Sequence, residues 1–189
     1  MTEIQTAQGG GHSGVLVLGL GNVLLRDDGI GAAALARLER DYLIPPGVRL
    51  VEGGTLGLAL LDEIAQAEHV ILVDAVATDG PPGSLVRLDG TDVIDAVRER
   101  LSVHQVGVAD LLDVARLIGR YPASVVLLGV VPGAIDLSVT RTAAVERALD
   151  ALVASIVLGV ERLGFTLVPR PRAPADDRPI HALTHHFGM

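Results

Sequence analysis

The chain contains no cysteine and no tryptophan. Disulfides, thiolate catalysis and cysteine-based zinc or iron–sulfur sites are therefore excluded. The absence agrees with a reducing cytoplasm, the expected location. Aromatic residues make up only 2% of a sequence that is 49% hydrophobic. The core must then be Leu, Val, Ala and Ile, the vocabulary of parallel strands covered by helices. Positive charge is also short. With 15 Lys and Arg against 23 Asp and Glu, the formal net charge is -8. Nucleic acid and anionic membrane are not expected partners, because phosphate binding needs basic clusters. The densest apolar stretches carry charges and fall short of a membrane span. Residues 1–14 are polar and Gly-rich, without the apolar stretch of a signal peptide, and are expected to be a flexible lead.

What is present is an alternation of short apolar runs and helical stripes. Val15 to Gly19, Val48 to Val51, Val70 to Val73 and Val125 to Val131 read as buried strands. Ser84 to Leu88 alternates weakly and reads as an edge strand, open to antiparallel pairing. Helical spacing links Ile30, Ala34, Leu38 and Tyr42, then Leu58, Leu61, Ile64 and Ala65. It links Val108, Leu111, Leu112, Ala115 and Ile118, and finally Val145, Ala148, Leu149, Leu152, Val153, Ile156, Val157 and Val160. Strands alternating with helices imply an α/β fold with a mostly parallel sheet covered on both faces. At 189 residues one domain is expected, over 15–168. Pro169, Pro171, Pro174 and Pro179 mark 169–189 as a flexible tail, in which His181, His185 and His186 read as solvated, with loose metal binding as the alternative.

Several motifs fail on inspection. Gly19-Leu20-Gly21 starts a dinucleotide fingerprint, but Leu24 stands at its third glycine, and Asp27 and Asp28 would repel a pyrophosphate. There is no Gly-x-Ser-x-Gly elbow and no His-Glu-x-x-His zinc helix. His12 and His69 lack context and read as surface residues.

Three side chains remain. Asp28 opens a helix, Asp74 follows the run Val70 to Val73, and His104 opens another helix. Apolar strands ending on such residues are how an open α/β sheet builds a site at its carboxyl edge. Two carboxylates and an imidazole form a metal-ligand set that leaves positions open. Bland readings stand beside this one. Acids at a helix start cap it, although two adjacent carboxylates repel each other. Asp74 has the amides of Ala75, Val76 and Ala77 within its own turn.

Together the segments carry a resemblance. Leu18-Gly19-Leu20-Gly21-Asn22-Val23-Leu24-Leu25 leads to Asp27-Asp28-Gly29-Ile30-Gly31. Glu52-Gly53-Gly54-Thr55, Val73-Asp74-Ala75 and His104-Gln105-Val106-Gly107 follow in order. The set resembles the nickel–iron hydrogenase maturation endopeptidases. These are cytoplasmic proteases that trim the C-terminal extension of the hydrogenase large-subunit precursor after nickel insertion. The resemblance covers Val15 to Gly164. It implies a three-layer α/β/α sandwich around a twisted five-stranded sheet. It implies that Asp28, Asp74 and His104 contact metal and carry an aspartic or metal-assisted peptidase reaction. Gly53, Gly54 and Thr55 are implied to lie near the cleft. The nickel comes with the precursor, no organic cofactor is implied, and a monomer is expected. Two residues depart from the family pattern: Glu52, where many members have Asp, and Gly133, where some have Glu. A non-catalytic metal-binding chaperone for hydrogenase assembly and a self-contained small-molecule metallohydrolase are the alternatives.

Overall fold

The computed structural model describes residues 14–90, 92–93 and 106–171. Five strands form the main sheet: Val15–Leu20 (β1), Val48–Gly54 (β3), His69–Ala75 (β4), Leu85–Asp89 (β5) and Ser124–Val130 (β6). A separate pair joins Tyr42–Leu43 (β2) to Val168–Pro169 (β7). The sheet order is β3-β1-β4-β6-β5, parallel except for the antiparallel edge strand β5. This is the α/β sandwich expected from the alternating pattern.

The interior strand β1 is buried at every position, so its two faces feed two cores. Val15 and Val17 join Ile71, Val73, Leu128 and Val130 against two helices, Ile30–Asp41 (α1) and Ala143–Arg162 (α4). Leu16 and Leu18 join Val70, Leu72, Val125 and Leu127 beneath Leu61–Ala65 (α2) and Val106–Leu117 (α3). A strand covered on both sides has no polar face to show, which is why these runs read as continuous apolar segments. The stripe expected on the last helix packs as read, with Val145, Ala148, Leu149, Leu152, Val153, Ile156 and Val160 buried and Val157 partly so.

Local departures have local causes. Leu58 is 56% exposed and Leu60 is buried instead. The segment Gly57–Leu60 is a 3₁₀ turn, whose phase differs from that of the α-helix that follows. Ile118 falls one residue beyond α3 and is exposed. Tyr42 leaves the helix for β2, where it faces Pro169. The Pro-rich segment therefore begins with residues held by the fold. Arg170 donates its amide to the Asp41 carbonyl at 2.7 Å, and its Nε donates to the carbonyls of Glu39 and Tyr42. His69 starts β4 with Nδ1 2.8 Å from the Ser124 hydroxyl. Among the described residues, no helix is long and apolar enough to cross a membrane.

Candidate active site at the carboxyl ends of β1 and β4

From β1 the chain crosses by α1 to β3 on one side, while β4 and β6 lie on the other. The connections leaving β1 and β4 diverge, the topology at which an open α/β sheet commonly holds a ligand. Asp28 lies in the 3₁₀ turn Arg26–Gly29 that follows β1, and Asp74 is the next-to-last residue of β4. They are 6% and 5% exposed.

Glycine lets these elements close up. Gly21 has φ +100°, and a Cβ there would lie 1.9 Å from the Asp28 carbonyl oxygen. A Cβ on Gly31 would lie 2.3 Å from the Leu20 carbonyl oxygen and 2.6 Å from that of Val73. The start of α1 thus rests directly on the ends of β1 and β4, and the 3₁₀ turn packs against β4.

Each carboxylate has a distinct setting. Asp28 Oδ2 accepts the Asn22 amide at 2.7 Å, while the Asn22 side chain accepts the Leu24 amide. Asp74 Oδ1 accepts the Ala75 amide at 2.7 Å, part of the turn bonding considered for it. Asp27 is wholly buried. Its Oδ1 accepts the Thr142 amide, and its Oδ2 accepts the amides of Gly133 and Ala134 and the Thr142 hydroxyl, all within 3.0 Å. The capping weighed as the bland reading of one of these acids is absent: neither the 3₁₀ turn nor α1 has a side-chain cap. Asp27 instead serves the entry to α4, more than a hundred residues away in the chain. Thr142 and the donor role of Gly133, noted above only as a departure from the family pattern, were not legible in the sequence, because no local pattern marks a donor that distant. The only hint was the acidic pair itself, which one helix start does not explain.

Burial pushes the Asp27 carboxyl up, but donors from the Thr142 backbone and hydroxyl, then Ala134 and Gly133, outweigh it and hold the pKa below its ordinary value. The folded value is thus lower than the unfolded one. The stabilisation is present above the unfolded value and fades as pH falls through the folded one. Asp27→Asn is expected to lower stability near neutral pH by about 1–3 kcal/mol. It is also expected to flatten the loss of stability below about pH 4. Urea unfolding midpoints across pH 2–7 measure both.

Gly54 accepts the Gly21 amide at 3.1 Å, which sets the end of β3 beside the turn leading to Asp28. Gly53 is a packing position, since a Cβ there would lie within 3 Å of both Leu18 and Leu60. Thr55 and Glu52 are exposed. Glu52 lines an open cleft of about 350 Å³ with Val23, Arg26, Val139 and Arg141. His104 lies outside the described residues, as do His12, His181, His185 and His186. Among the described residues, no three His, Cys, Asp or Glu side chains form a metal-binding group.

Comparison with known proteins identifies the family. Residues 33–158 match the family model described as hydrogenase maturation protease, HycI. The hydrogenase 2 maturation protease of Escherichia coli (strain K12) is 32% identical over 157 residues, covering 82% of this chain and 96% of that protein. The solved structure of the hydrogenase maturating endopeptidase HybD from E. coli matches with a TM-score of 0.81 at 33% identity, covering 83% of this chain and 98% of that one. The [NiFe] hydrogenase maturation protease HybD from Thermococcus kodakarensis matches at 0.67 and 27% identity, covering 78% and 99%. A family model over most of the chain, and relatives that span nearly the whole fold, lead to one conclusion: the chain belongs to the hydrogenase maturation protease family, and it is a peptidase.

Proposed function

We propose that this peptidase removes the C-terminal extension of a nickel-loaded hydrogenase large-subunit precursor in the cytoplasm. The observation that carries the reading is the placement of Asp28 and Asp74. Both are nearly buried, at the carboxyl ends of adjacent parallel strands, where an α/β sheet holds its ligands. In this reading His104 completes the set. Two carboxylates and an imidazole suit nickel and leave positions open for groups of the precursor. The metal is cargo of the substrate and acts as its recognition element: a filled site admits the scissile peptide. Hydrolysis then needs a water activated against the carbonyl, a proton delivered to the leaving amine, and cleavage of the C–N bond. In this reading Asp28 or Asp74 takes the water's proton, and the precursor's nickel would lower that water's pKa or polarise the carbonyl. The surface of net charge -8 suits a basic extension.

The test is to incubate the protein with nickel-loaded and nickel-free precursor and to measure the precursor's mass. Loss of a C-terminal fragment from the loaded form alone is expected, and His104→Ala should abolish it. Equal cleavage of both forms removes nickel recognition from the reading. Binding without shortening assigns a chaperone instead.

A further inference from the structure

Resting on the processing role above, we infer that Asp27 is a positioning residue. Its buried carboxylate pins the Gly133–Thr142 segment to the turn that carries Asp28, and so sets where the Asp28 carboxylate points.

Asp27 accepts four hydrogen bonds, from the amides of Gly133 (2.8 Å), Ala134 (3.0 Å) and Thr142 (2.7 Å) and from the Thr142 hydroxyl (2.8 Å). That takes up about the whole capacity of a carboxylate, roughly four lone-pair sites. Asp27 is therefore committed to the protein, whereas its neighbour Asp28 is bonded by the Asn22 amide at the other side of the same turn. Between the two, the segments are stitched along their backbones. Arg26 N–H donates to the Ser138 carbonyl at 2.6 Å and Ser138 N–H donates to the Leu24 carbonyl at 2.9 Å. The Arg26 guanidinium pairs with Asp136 at 2.6 Å.

The stitching opposes a strain. Arg26 has φ 53°, a left-handed conformation that side chains other than glycine rarely adopt. Such a residue persists only where its surroundings over-determine it. Asp27 is the next residue and Asp28 the one after, so relaxation at Arg26 rotates both. Asp27 is the deepest of the restraints, and it acts on a reacting group through the backbone rather than by touching substrate.

A purely structural role, securing the start of α4, would leave Asn22 undisturbed. The experiment is amide hydrogen exchange on Asp27→Asn together with processing kinetics. The Asn22 amide is expected to exchange roughly tenfold faster or more, while Val70 to Val73 in β4 keep wild-type rates. Processing should lose kcat by roughly 10- to 100-fold, as a small misplacement of a reacting group does, with KM nearly unchanged. Thr142→Val removes one donor and should produce a smaller change of the same kind, and Thr142→Ser should behave as wild type. Thr142→Val added to Asp27→Asn should cost nothing further, because both act on one anchor. If Asp27→Asn does not fold, Thr142→Val alone carries the comparison. Unchanged Asn22 exchange, or unchanged kcat per folded molecule, overturns the inference. If wild-type protein fails to cleave any precursor, the processing role falls, and Asn22 exchange by itself decides whether Asp27 positions Asp28.

Discussion

Asp74→Asn is expected to yield a folded protein that processes nickel-loaded precursor roughly 10²–10⁴-fold more slowly, the range that loss of a general base covers. The substitution is nearly isosteric. It keeps an oxygen for the Ala75 amide, now accepted at 2.7 Å, and it leaves the strand register with Leu128 to Val130 intact. What it removes is the charge, at a position only 5% exposed. A carboxylate retained at such depth carries a desolvation penalty, so stability should fall little or even rise. Activity and stability therefore move independently, and that separation identifies a functional carboxylate. Precursor mass measured over time gives the first quantity and a urea melt gives the second. Wild-type turnover in Asp74→Asn would remove Asp74 from the reaction.

Gly31→Ala is expected to have the largest effect on stability, with a sign that helix propensity gets wrong. Gly31 is the second residue of α1, and a Gly to Ala change in a helix normally gains about 1 kcal/mol. Here the added methyl would meet the Leu20 carbonyl oxygen at 2.3 Å, the Val73 carbonyl oxygen at 2.6 Å and the Leu20 nitrogen at 2.7 Å. All three are backbone atoms of β1 and β4, and no rotamer change relieves them. Overpacking typically costs about 1–3 kcal/mol, and a rigid backbone target lies at or beyond the upper end. For a protein of this size about 3 kcal/mol lowers the melting temperature by roughly 6–12 °C. The same displacement separates the Asp28 turn from the end of β4, so processing should suffer beyond the loss of folded protein. A melting temperature at or above that of the wild type would show that α1 does not press on the strand ends as described.

These two residues mark how far the sequence was readable. Asp74 was visible because it ends a run of four apolar residues, and period and composition are local signals. Leu16, Leu72 and Ile156 were legible as core for the same reason. Gly31 carried no such signal. Its requirement comes from two strands that meet the helix only after the sheet is assembled. Leu58, placed on the helical stripe by its spacing, is exposed because a 3₁₀ turn and an α-helix share apolar residues but differ in phase. The pairing of Val168–Pro169 with Tyr42–Leu43 was hidden behind prolines that signal irregular chain, although an edge position tolerates a proline.

The sequence by itself determined the layer plan, the parallel sheet, the family and the choice of Asp28 and Asp74 as the acids of interest. Hydrophobic period and short motifs are properties of neighbouring residues, and they survive without coordinates. Only the tertiary structure decided what Asp27 does beside Asp28. The two are adjacent and chemically identical in the chain. One is bound by donors from Gly133, Ala134 and Thr142, and the other is bound by Asn22, six residues earlier in the same loop. A carboxylate's role follows from the donors around it, and for Asp27 those donors are brought near only when the chain folds.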